Sequence, residues 1–148
     1  MRAIIVALAV MIVLPCSVFP QAVPAGPLDG SYELRSMWED GKEYPAIIRQ
    51  AYQEVTIANG ELTLRSTAGI DTAKFTLDAT KAISEIDFTS TKVGEKKTAA
   101  GIYKIEKSEL IILFHKGGVR PTDFKATGKD VVKLVLVKRP PNTAPPKK

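Results

Sequence analysis

The chain of 148 residues has one cysteine, Cys16, and one histidine, His115. A single cysteine excludes an intrachain disulfide and any zinc site built on paired cysteines. A single histidine excludes chemistry that needs two imidazoles. Trp38 is the one tryptophan, and aromatics make up only 7% of the chain. Acidic residues are the minority charge, 16 against 21 Lys+Arg, giving a formal net charge of +5. That balance, with 45% apolar residues, excludes an acidic disordered chain and fits an ordinary globular one. The length allows one domain. A membrane-spanning helix needs roughly 20 apolar residues, and the longest uncharged apolar run, from Ala3 to Leu14, is too short for a stable span.

That run follows Met1-Arg2, a short positive start, and matches the apolar core of a secretory signal peptide. Val23-Pro24-Ala25 before Gly26 supplies a small-x-small cleavage site, so residues 1–25 are expected to be a leader cut after Ala25. Cys16 follows Pro15 rather than the small residue a lipoprotein signal requires, which disfavours lipidation. The expected destination is the periplasm or the exterior, and the mature chain then has no cysteine, which suits an oxidising compartment.

Beyond Gly26 the chain reads as short strands with period-2 alternation and turn signals between them. Ser31–Trp38 places Tyr32, Leu34 and Trp38 on one face. Glu54–Ala58 carries Val55 and Ile57, and Glu61–Ser66 carries Leu62 and Leu64. Asn59-Gly60 between them is a strong hairpin signal. Lys74–Asp78 offers Phe75 and Leu77, and Glu85–Ser90 offers Ile86 and Phe88. Ala99–Glu106 carries Tyr103, Glu109–His115 carries Leu110, Ile112 and Phe114, and Val131–Lys138 carries Leu134 and Leu136. One segment departs from alternation: Tyr44, Ile47, Ile48 and Ala51 have helical spacing, and Pro45 suits a helix start. A short helix over Pro45–Tyr52 is predicted, plugging one end of a barrel or packing on the sheet. Eight antiparallel strands with tight turns predict an all-β, up-and-down meander over residues 26–139. Closing it removes exposed edges and leaves room for side chains or one small ligand. Pro140, Pro141, Pro145, Pro146 and the final lysines read as a disordered basic tail over residues 140–148.

Several stretches resemble an uncharacterised secreted domain family expanded in planctomycete bacteria. They are Leu28-Asp29-Gly30-Ser31-Tyr32, the Asp40-Gly41-Lys42 turn, Gly101-Ile102-Tyr103-Lys104-Ile105, Arg120-Pro121-Thr122-Asp123-Phe124 and the strand Leu134–Arg139. The resemblance covers nearly all of Leu28–Arg139 and implies a lipocalin-like architecture without an assigned activity. Gly30-Ser31-Tyr32 is also similar to the Gly-x-Trp motif that opens lipocalins, with Tyr in place of Trp. By that likeness Arg139 would pack over Tyr32 through a cation–π contact. Tyr32 as a plain core aromatic is the alternative.

Candidate chemistry is sparse. His115, with Asp123 and Ser108 as conceivable helpers, lacks a Gly-x-Ser-x-Gly elbow. His115 with Asp123 is too little for a metal site, so neither metal nor cofactor is expected. Glu85 and Asp87 share a strand face, but it is the face opposite Ile86 and Phe88, which argues for solvated positions rather than a glycosidase pair. The Gly94-Glu95-Lys96-Lys97 stretch lacks the phosphate-loop spacing. The basic residues Lys92, Lys96, Lys97, Lys147 and Lys148 are spread without interleaved aromatics, so no nucleic-acid partner is expected. Arg120 could reach an anionic ligand at a barrel mouth or tie its loop down through a carboxylate or carbonyls.

The sequence therefore predicts a monomeric, exported, non-enzymatic barrel that binds a small apolar or amphipathic ligand. The candidate lining is Tyr32, Leu34, Phe75, Phe88, Tyr103 and Phe114, with Arg120 at the mouth. The alternative is a filled barrel acting as an envelope interaction module through loops and tail, with a hydrolase a distant third.

Overall fold

A computed structural model describes residues 26–91 and 97–140. The expected leader, Cys16 and most of the Pro/Lys-rich tail lie outside the described residues. Nine strands and one helix follow in order: β1 (Gly30–Glu39), β2 (Lys42–Glu43), α1 (Ala46–Ala51), β3 (Tyr52–Ala58), β4 (Glu61–Ser66), β5 (Gly69–Asp78), β6 (Glu85–Ser90), β7 (Thr98–Glu106), β8 (Glu109–His115) and β9 (Val131–Lys138). From β3 onward each strand pairs antiparallel with the next. β1 joins β3 on one side and β9 on the other, from Tyr32↔Lys138 to Glu39↔Val132. The wall is thus a closed eight-stranded, lipocalin-like barrel. β2 only extends the end of β1, through Trp38↔Glu43. Closure pairs the backbone groups that a free sheet edge would leave open.

The alternation places the core. Apart from Trp38, every apolar strand residue expected to face inward is either buried or packed against one cluster, with Ile112 and Leu136 at 0% exposure and Val55, Ile57 and Ile86 at 1%. The Asn59-Gly60 hairpin forms with both residues at positive φ, +53° and +74°, the geometry that suits the right-handed twist of its flanking strands. β5 begins five residues before the expected Lys74, because Gly69–Ala73 pairs with β4 although it has little apolar alternation.

Two expectations are corrected. Trp38 does not share the face of Tyr32 and Leu34. A bulge at Arg35 shifts the register between Leu34↔Leu136 and Ser36↔Val135, so Met37 opposes Leu134 and turns inward while Trp38 turns out. One extra residue reverses the facing of everything after it. The basic residue over the Tyr32 ring is Lys138, with Nζ 6.0 Å from the centroid. Lys138 is the register partner of Tyr32, whereas Arg139 continues past the strand and donates its amide to the Ser31 carbonyl at 2.8 Å.

The helix neither plugs the barrel nor buries its apolar stripe. Pro45 stands just before it at φ −54°, and Ile48 and Arg49 donate their amides to the Pro45 carbonyl. Ile47 is 77% exposed and Ile48 40%. With six residues, α1 is too short to be stable by itself. It hangs between β1 and β3, braced by Arg49–Glu43 at 2.6 Å and by the Thr67 amide on the Ala51 carbonyl.

The long β8–β9 connection covers the outer wall. Ile102 (1% exposed), Leu113 (0%) and Val131 (8%) face outward and are covered by Phe124 and Ala126. Lys104 lies over the Phe124 ring, 5.0 Å from its centroid. This small second core explains why β7 and β8 are apolar on both faces.

Candidate functional site

The two barrel ends differ. At the hairpin end, where β1 starts and the Asn59-Gly60 turn lies, the inward apolar residues are buried except Phe75 and Leu77. Leu28 (1% exposed) packs into the core ahead of β1. The Tyr32 hydroxyl donates to the Leu28 carbonyl at 2.6 Å. Burial, and secondarily the charge of Asp29, holds the Tyr32 phenol above its ordinary pKa, so it remains a donor. Leu28 is needed there because β5 outruns β4: after Lys74, which faces Glu61, the residues Phe75–Asp78 pair only with β6. Gly26–Asp29 covers that gap. It leaves a cleft of about 240 Å³ bounded by Leu28, Gly60, Phe75 and Leu77.

At the helix end the inward positions are open to solvent. Met37, Tyr52, Leu64, Ala73, Ala99 and Phe114 all pack against the core, yet each is only partly buried. Val132, at 2% exposure, is the sealed position on that level. The lining is apolar and aromatic. Phe88 stacks edgewise against Phe75 (centroids 6.1 Å apart) and lies 5.3 Å from Phe114. Phe88 and Phe114 belong to strands separated by β7, and they meet because β7 presents only Ala99 and Gly101 between them. A Cβ on Gly101 would stand 2.8 Å from the Leu113 carbonyl and 2.9 Å from the Phe114 Cβ.

A polar trio sits on this rim. The same bulge that turns Trp38 out turns Glu39 toward the barrel axis. Its carboxylate accepts from the Lys116 ammonium and from the Tyr44 hydroxyl. Lys116, then Tyr44, holds the Glu39 carboxyl below its ordinary pKa. Glu39 in turn pushes Tyr44 up to about 12. Glu39 is therefore charged and Tyr44 neutral at physiological pH. No sequence signal pointed to this trio, because the bulge that turns Glu39 inward is set by the pairing of β1 with β9.

The sequence-derived candidates separate by place. Tyr32, Leu34, Phe88 and Tyr103 lie in the sealed core at 4–8% exposure. Phe75 borders the hairpin-end cleft, and Phe114 lines the helix end. Arg120 lies on the outer wall, where its Nη2 donates to both carboxylate oxygens of Asp87 (2.8 and 2.9 Å), its Nε reaches Glu85 at 3.5 Å and its Nη1 donates to the Gly101 carbonyl at 2.6 Å. Of its two possible roles, these contacts fill that of a loop tie. Glu85 and Asp87 face outward as expected and serve as its partners. The hydrogen bond to Asp87 raises the pKa of Arg120 against burial, which lowers it.

His115 ends β8, and its Nδ1 accepts the Gly117 amide at 2.9 Å. Asp123 instead caps its own turn, accepting from the Lys125 amide. Among the described residues no three His, Cys, Asp or Glu side chains gather as metal ligands. No family model, curated protein or solved structure matches the chain.

Proposed function

We propose that the protein is an exported, non-enzymatic barrel that takes a small apolar or amphipathic ligand into its helix end. The observation that carries this reading is the contrast between the two ends: at the hairpin end the inward apolar side chains are buried except Phe75 and Leu77, whereas at the helix end six of them are only partly buried. Partly exposed apolar walls gain free energy when a ligand removes them from water, at roughly 25 cal/mol per Å². Ligand sites are typically concave, apolar and furnished with a few placed polar groups. Glu39, Tyr44 and Lys116 would meet a polar head at the rim while the lining takes an apolar body.

The test is titration of the mature protein with an environment-sensitive fluorophore, followed by displacement with lipids and small aromatics. Trp38 faces away from the interior, so an added probe must report binding. Saturable binding is expected. Ala99→Trp, which places a large ring beside Phe88, should weaken it about tenfold or more, equivalent to about 1.4 kcal/mol. An unsaturable signal from the unaltered protein would remove the reading. Native mass spectrometry of protein taken from its own envelope would show a resident ligand directly.

A second reading, an interaction module, draws on Ile47 (77% exposed), Ile48 (40%) and Ile70 (56%), apolar side chains left in water on α1 and early β5. Under that reading the fluorophore shows no saturation, and replacing Ile47 and Ile48 with Gln abolishes partner binding.

A further inference from the structure

We propose that cutting the chain after Ala25 makes the last tie of the hairpin end: the new α-ammonium of Gly26 pairs with the carboxylate of Asp29, fastening Leu28 into the barrel. The inference rests on the export reading and adds to it a structural role for the cut. The Gly26 nitrogen lies 2.8 Å from Asp29 Oδ2, and the Asp29 amide returns a hydrogen bond to the Gly26 carbonyl at 3.1 Å. Pro27 and Leu28 are held between these two bonds, and the Leu28 carbonyl accepts the Tyr32 hydroxyl. Position 26 favours glycine for this approach, since a Cβ there would stand 3.0 Å from Asp29 Oδ1.

In the uncut chain that nitrogen is a neutral amide with one N–H. Hydrolysis of the Ala25–Gly26 bond adds the hydroxyl of water to the Ala25 carbonyl carbon and its hydrogen to the Gly26 nitrogen. Ala25 leaves as a carboxylate, releasing a proton, and the Gly26 amine takes one up, since a free α-amino group titrates at about 7.7–8.0. A neutral hydrogen bond thereby becomes an ion pair, and charge-assisted bonds are roughly twice as strong as neutral ones. The gain falls where the barrel needs it, on the segment that fills the space beyond the start of β4.

The experiment compares thermal melts of the mature chain beginning at Gly26 with a chain extended by Ala25 alone, each with Asp29 or with Asp29→Asn. The extension should lower Tm by roughly 3–5 °C. Asp29→Asn should lower the Gly26-initiated chain by a similar amount and the extended chain by about 1 °C or less. An extension without effect, or an equal Asp29→Asn loss in both chains, would reduce the contact to an ordinary turn hydrogen bond and overturn the proposal. N-terminal sequencing of the exported protein separates this from failure of the export reading. Gly26 is expected as the first residue; any other start, or a retained leader, sinks the cut itself.

Discussion

Gly101 shows how a single residue sets the interior. It faces inward between Ile86 and Phe114, and backbone and side-chain atoms occupy the place of a Cβ. Gly101→Val should cost about 1–3 kcal/mol, the usual penalty of overpacking. The denaturant midpoint should fall with an unchanged slope. The position is needed because Phe88 and Phe114 pack over β7, which a larger side chain would prevent. Single residues are also where sequence and structure part. Alternation from Tyr32 through Trp38 assumes an unbroken strand, and the bulge at Arg35 reverses it, turning Met37 and Glu39 inward. No local pattern in Arg35-Ser36-Met37 announces the extra residue. It is fixed by the pairing of β1 with β9, a strand about a hundred residues away along the chain.

At the scale of elements, the β8–β9 connection behaves as a strap. Its apolar contacts are Phe124 and Ala126 over Ile102 and Leu113, and its polar tie is Arg120 on Asp87, Glu85 and the Gly101 carbonyl. Arg120→Ala should leave the barrel folded while freeing the strap. Limited proteolysis between Lys116 and Asp130 should quicken about tenfold, since hydrogen bonds to charged groups contribute roughly 1.5–3 kcal/mol and part of that is screened at a side chain 29% exposed. Unchanged cleavage would mean that the apolar contacts alone hold the loop. The eight main strands were legible because each alternates apolar and polar residues between turn signals. The face buried by the strap was not, since Ile102 and Leu113 read equally as surplus apolar residues. The apolar stripe of α1 was legible as helix, but its burial was not: the stripe needs an opposing surface, and neither β1 nor β3 provides one.

For the whole molecule, the Glu39–Lys116–Tyr44 trio joins the end of β1, the link into α1 and the start of the strap. The Glu39 carboxyl is held below its ordinary 4.5 by Lys116 first and Tyr44 second. A carboxyl lowered by folding contributes stability that is complete above the unfolded value and lost as the pH falls through the folded one. The loss therefore sets in below about pH 4.5. Lys116 is 48% exposed, so the pair is worth about 1 kcal/mol or less. Glu39→Gln should lower stability at pH 7 by that amount and flatten the acid limb of a stability–pH profile. An acid limb identical to that of the unaltered protein would show that the trio does not couple to folding. Tyr44, pushed up to about 12, stays a donor throughout ordinary alkaline conditions.

The amino-acid order alone determined the strands, the Asn59-Gly60 turn and the inward set, because side-chain alternation and turn chemistry are local properties of an extended chain. It also limited the chemistry, since one histidine and one cysteine cannot be multiplied by folding. Only the tertiary structure decided that β1 meets β9 and closes the wall, that Leu28 packs into one end while the other keeps more of its lining partly exposed, and that Glu39 meets Lys116. Those outcomes depend on register and on contacts between distant segments, and no spacing within a single segment encodes them.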